Sequence, residues 1–92
     1  MVFDWDENKS ASNLSKHGVS FESAKAVFMD PSAIIESDES DDVEERWRII
    51  GMAAANVLFV VFTERNDGVN RIITARRANR HEQDRYFRQA LP

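Results

Sequence analysis

The run VLFVVFTER, from Val57 to Arg65, constrains the fold more than any other stretch of the chain. Valine, leucine and phenylalanine follow one another without the polar alternation of a half-buried strand, and Thr63 extends the β-favouring character. Unbroken apolar residues at strand length predict a central strand covered on both faces. The apolar part, Val57 to Phe62, is far too short to span a bilayer as a helix. Asn66-Asp67-Gly68 follows, a hairpin signal because these residues tolerate the backbone of a tight turn. Val69 to Arg77 is then the next strand.

The flanks supply the other elements. Val2 to Trp5 alternates as a short strand would. Asp6 can cap a helix running to about His17, and Gly18 suits its left-handed C-terminus. Leu14 gives that helix few apolar anchors, so Trp5 and Ala11 are expected to help seat it. Ser20 caps a second helix, Phe21 to about Met29, whose Phe21, Ala24, Val27 and Phe28 share one face. Asp30-Pro31 ends it. Ala33 to Ile35 can form a short strand, and the acidic stretch Glu36 to Glu45 reads as a solvated loop or turn. Arg46 to Ala54 is a strand with Trp47 and Ile49 on one face and Arg48 and Ile50 on the other, followed by a turn at Ala55-Asn56. Asn79 and Glu82 form a capping-box pattern for a last helix, which Tyr86, Phe87 and Leu91 would anchor on the sheet. The expected class is α+β, one domain over residues 1–92: a short N-terminal strand, two helices, an antiparallel meander of three to four strands and a C-terminal helix.

Charge divides the chain. Met1 to Glu45 carries three Lys against twelve Asp or Glu, a net −9. Arg46 to Pro92 carries nine Arg against four Asp or Glu, a net +5, and every cation there is arginine. Arginine offers a planar fork of donors suited to phosphate. Ion pairing with the acidic first half is the bland alternative, and exposed pairs of that kind contribute little. The chain lacks cysteine, which excludes a disulfide scaffold or thiolate metal site and fits a reducing cytoplasm. Its first residues, MVFDWDENK, are too acidic and polar for a signal peptide.

Arg65, Arg71 and Arg76 fall in or beside the predicted sheet. Strand alternation puts Arg71 and Arg76, five apart, on opposite faces unless a bulge intervenes. Arginine on a sheet surface can neutralise charge that builds on a scissile phosphate. RNA supplies its own nucleophile in the 2′-hydroxyl, so such a site needs phosphate clamps and proton-transfer groups but no metal. His17 lies beside Lys16 at a helix end, and histidine is the residue type best suited to act as proton donor or acceptor. Tyr86 can stack on a base or donate a proton. His81 is expected to be exposed, and no metal-ligand spacing appears.

These blocks together resemble a known family. WDENKSASNLSKHGVSFESAKAVFMDP is similar to the N-terminal block of the BrnT toxins, and EERWRIIG, VLFVVFTER and RIITARRANRHEQDRY are similar to the blocks that follow, in the same order. The resemblance runs from about Phe3 to Tyr86 and touches Lys16, His17, Glu45, Arg46, Glu64, Arg65, Arg71, Arg76, Glu82 and Tyr86. It implies a fold related to RelE-type ribonuclease toxins and a cytoplasmic, metal-independent endoribonuclease that needs no cofactor and blocks translation. It implies Arg65 and Arg76 as phosphate clamps, Lys16 or His17 as the proton-transfer group, and Tyr86 within the catalytic set. Arg46, Arg71, Arg77 and Arg80 are the remaining candidates for contact with RNA. The implied partner is a BrnA-like ribbon-helix-helix antitoxin, in a heterotetramer that binds operator DNA through the antitoxin and represses its own promoter. The alternative is a non-catalytic module with the toxin fold that acts only as antitoxin partner and corepressor.

Overall fold

The computed structural model describes residues 1–38 and 45–90. The order is β1 (Val2–Asp4), α1 (Glu7–His17), α2 (Phe21–Ala24), a 3₁₀ segment (Lys25–Met29), β2 (Ile34–Asp38), β3 (Arg46–Ala53), β4 (Asn56–Glu64), β5 (Val69–Arg77) and α3 (Arg80–Ala90). The strands form a five-stranded sheet in the order β1-β5-β4-β3-β2. β4 lies at its middle, as its unbroken apolar run requires. Leu58, Val60 and Phe62 enter the core under α2 and the 3₁₀ segment, while Val57 and Phe59 enter a smaller core with Ile50, Ala78 and Tyr86 of α3.

Two expectations about the sheet need correction. It is mixed, because β1 pairs parallel with β5 (Val2↔Val69, Phe3↔Asn70, Asp4↔Arg71). A three-residue strand carries no signal for direction; the two helical segments carry the chain from β1 to the opposite edge. Four antiparallel strands stand beside β1, the upper end of the expected three to four, but β2 runs on to Asp38 and so takes in part of the acidic stretch. Residues 39–44 of that stretch lie outside the described residues, as does Leu91.

Local signals explain the element ends. The Asp6 carboxylate accepts from the Asn8 and Lys9 N–H groups at 2.8 and 3.1 Å, and Gly18 closes α1 at φ 70°. The second helix does not stay α-helical to Met29: after Ala24 it tightens to 3₁₀. Val27 of this segment lies on Gly51 of β3, where a Cβ would stand 3.1 Å from the Val27 Cβ and 3.2 Å from the Ala33 Cβ. Glycine therefore permits the close approach of this layer to the sheet. The β3–β4 turn falls at Ala54-Ala55, one residue before the expected position, and Ala54 takes a left-handed φ of 53°. The β4–β5 hairpin closes where Asn66-Asp67-Gly68 predicts, with Arg65 N–H donating to the Val69 carbonyl at 2.9 Å. α3 begins with the reciprocal capping box: Glu82 N–H donates to the Asn79 side chain at 2.8 Å and Asn79 N–H to the Glu82 carboxylate at 2.9 Å.

The expected seating of two helices also changes. Ala11 is exposed, and α1 buries Asn13 instead of an apolar residue, while Trp5 packs edge-on against Phe21. α3 is anchored by Tyr86, but Phe87 is exposed.

Candidate functional site

The decisive local feature is a bulge in β5. Val61 pairs with Thr74 but the next residue, Phe62, pairs with Ile72, so Ile73 is extra. Ile72 and Ala75 consequently both point into the core beneath the helices, although they are three residues apart. Their outer neighbours Arg71 and Arg76 therefore share the opposite face. The expectation for a regular strand, that these two arginines point apart, is overturned by this one added residue.

Neighbouring strands extend the same face. In the register Arg71 lies beside Thr63, Arg76 beside Phe59, and Arg48 between Val61 and Glu36. Arg46, paired in register with Asp38, falls on this face by alternation with the core residue Trp47. α3 packs over one end, at Ile50, Val57 and Phe59, and adds Arg85.

Each arginine is held differently. Arg76 makes a two-point pair with Glu82 (2.8 and 2.9 Å) and lies 4.1 Å from the Phe59 ring centroid. Burial opposes ionisation of Glu82, yet Arg76, the Asn79 N–H and the charge of Arg48 outweigh it and hold its pKa below the usual range. Glu36 accepts from Arg85 at 3.0 and 2.9 Å and from Arg48 at 2.8 Å. The Arg85 hydrogen bonds, opposed by burial and aided by Arg48, bring its pKa down to about 2. At the hairpin end Asp4 bridges two strands, accepting from Arg65 at 2.9 Å and Arg71 at 3.2 Å, while Arg65 also pairs with Asp67 at 3.0 Å. The Asp4 pairs are substantially exposed, so water already competes with them.

The other sequence candidates do not all gather here. Arg65 and Arg71 meet through Asp4, whereas Arg76 sits with Glu82 nearer α3. Arg77 points to the helix side, lining a cleft with Gly18, Val19 and Glu22. Arg80 is exposed on the first turn of α3, and His81 beside it is exposed too. Lys16 and His17 line a cleft of about 180 Å³ between α1 and β5, with Ser12, Asn13, Ile73 and Thr74. Tyr86 is buried and donates to Asp30 at 2.5 Å; Asp30 also accepts from Met52 N–H at 2.8 Å and Ser32 N–H at 2.9 Å. Burial and the Asp30 carboxylate push the Tyr86 phenol up to about 12. Its hydroxyl is thus engaged by Asp30, where it docks α3. Sequence reasoning missed Asp4, Arg48, Glu36 and Arg85 as members of that face. Alternation in β3 placed Arg48 opposite Trp47, but nothing local connects it with Glu36 or Arg85. Among the described residues no three His, Asp or Glu side chains converge as a metal-binding group, and no helix is long and apolar enough to cross a membrane.

The protein family described as "Ribonuclease toxin, BrnT, of type II toxin-antitoxin system" matches residues 5–82. The crystal structure of the Brucella abortus ribonuclease toxin, BrnT, is similar at a TM-score of 0.71 and 25% sequence identity, covering 87% of this chain and 100% of that one. A search of curated protein sequences gives no match. The family match spans both the α1 turn bearing Lys16 and His17 and the sheet bearing the arginines, and the chain belongs to the BrnT family of ribonuclease toxins of type II toxin–antitoxin systems.

Proposed function

We propose that the arginine-lined sheet face binds single-stranded RNA and that the protein, one toxin domain acting in the cytoplasm, cleaves it without a metal. The observation that carries this reading is the β5 bulge, which sets Arg71 and Arg76 on one face together with Arg46. The 2′-hydroxyl attacks the adjacent phosphorus, a base removes its proton and an acid protonates the leaving 5′-oxygen. Arg65 and Arg76 clamp the phosphate, and Arg46 and Arg71 contact flanking phosphates. Lys16 or His17 transfers the proton; their cleft includes Thr74, two residues from Arg76. The buried Tyr86 and the oppositely directed Arg77 take no part, and Arg80 is at most a peripheral phosphate contact.

A BrnA-like ribbon-helix-helix antitoxin is the proposed partner, forming a heterotetramer that represses its own promoter. An antitoxin segment laid over the arginine face would exclude RNA sterically and add apolar contact at the sheet. This keeps the kinship with RelE-type nucleases implied by the sequence.

The test is cleavage of a labelled mixed-sequence RNA by purified, antitoxin-free protein, with and without EDTA. Wild type should cleave equally in both. Arg76→Ala should lose about 10²–10³-fold, the usual effect of removing one donor to a transition-state oxyanion. Folded wild-type protein that neither cleaves RNA nor arrests growth would overturn the reading. A binding-only module has one observation in its favour: Arg48, Arg65, Arg71, Arg76 and Arg85 each have a carboxylate partner. It would bind antitoxin tightly and leave RNA intact in the same assay.

A further inference from the structure

Asn13 is 7% exposed and its side-chain amide is saturated. Its Nδ2 donates to the Val19 carbonyl at 2.9 Å and the Ala75 carbonyl at 2.7 Å. Its Oδ1 accepts from the Ala75 N–H and the Thr74 hydroxyl, each at 3.2 Å. An asparagine amide has two donor hydrogens and an acceptor oxygen with two lone pairs. All four are used, which is what makes burial of so polar a group tolerable.

Two of these bonds hold the backbone of one residue, Ala75, immediately before Arg76 and two past the extra residue Ile73. β1 accompanies β5 only as far as the Asp4↔Arg71 pair. Beyond it Asn13 supplies Ala75 with the donor and acceptor that a neighbouring strand would have offered. Of the other two, the bond to Val19 ties the same amide to the turn after Gly18, and the bond from the Thr74 hydroxyl adds a side-chain link to β5. Lys16 and His17 lie three and four residues after Asn13, on the same side of α1.

We infer that Asn13 is a positioning residue for RNA cleavage. It holds β5 in its bulged register, so that Arg76 stays on the face of Arg71, and it fixes the distance between that strand and the helix turn bearing Lys16 and His17. A strand that slipped by one residue would turn its arginine to the wrong face. This inference rests on the reading of the arginine face as the RNA site.

The test compares kcat and KM for a labelled mixed-sequence RNA in wild type, Asn13→Ala, Thr74→Val, Arg76→Ala and the Asn13→Ala/Arg76→Ala double variant. Circular dichroism and a melting curve check each protein, and rates are taken well below every midpoint. Asn13→Ala should lower kcat roughly 10–100-fold, the scale of a misplacement of about 1 Å. Adding it to Arg76→Ala should cost clearly less than it does in wild type, because the part of its effect that runs through Arg76 is already lost there. Thr74→Val, which removes one bond to Asn13 and leaves the backbone anchors, should lower kcat a few-fold in fully folded protein. Full additivity in the double variant, or a wild-type kcat in folded Asn13→Ala, would overturn the positioning role alone. Should Asn13→Ala fail to fold, a wild-type kcat in Thr74→Val overturns it as well. Wild-type activity in Arg76→Ala overturns the RNA-face reading and this inference with it.

Discussion

Arg76 and Glu82 meet in a two-point ion pair, Nη1–Oε1 at 2.8 Å and Nη2–Oε2 at 2.9 Å, while the Glu82 carboxylate also accepts the Asn79 N–H that opens α3. One carboxylate thus joins the start of the last helix to an arginine of the candidate site. It occupies the donors that a phosphate would use.

Glu82→Gln should separate those two duties. Glutamine retains the reciprocal cap but removes the negative charge from Arg76. RNA affinity should rise a few-fold at low salt and fall more steeply as salt increases, because one more cation is available to phosphate. Fluorescence anisotropy across a salt series checks this. Unchanged affinity and slope would mean that Arg76 does not engage the RNA backbone.

Tyr86→Phe should lower stability by about 1–2 kcal/mol, since it strips the hydroxyl donor from Asp30 while the ring remains packed. Cleavage by the folded variant should match wild type. Urea unfolding and a cleavage assay measure the two effects; loss of kcat without loss of stability would return Tyr86 to the catalytic set.

The Glu36 cluster should contribute to acid sensitivity. Glu36 titrates at about 2 in the folded protein against 4.5 for the ordinary group, so the folded state binds its proton more weakly than the unfolded state. Its stabilisation is complete above about pH 4.5 and is lost as pH falls from there towards 2. Glu36→Gln should therefore be less stable than wild type at pH 7, with the gap narrowing as pH drops through that window. Denaturant midpoints at pH 7, 4 and 3 suffice to follow it.

Gly51→Val should destabilise the fold by about 1–3 kcal/mol, because the added atoms press on Val27 and Ala33 in a packed layer. Ala54→Gly should act oppositely, relieving up to about 1 kcal/mol of left-handed strain at φ 53°. Thermal melts of the two variants should move in opposite directions.

Much of the fold was legible because its signals are local. The apolar run of β4, the bounds of β5 at Val69 and Arg77, the Asp6 and Ser20 caps and the Asn79–Glu82 box each lie within a few residues of what they specify. The concentration of arginine in the second half was equally visible. The use made of those arginines was not, because Arg71 and Arg76 are brought to one face by a single extra residue in the pairing of β5 with β4.

By itself, then, the sequence determined most of the helix and strand segments, which strand is central and where the arginines concentrate. Only the tertiary structure decided the parallel docking of β1, the burial of Tyr86 against Asp30 and the union of Arg48 and Arg85 on Glu36. The physical reason is distance along the chain. Asn13 and Ala75 are 62 residues apart, and the saturated amide that joins them leaves no trace in the periodicity or capping pattern of either segment.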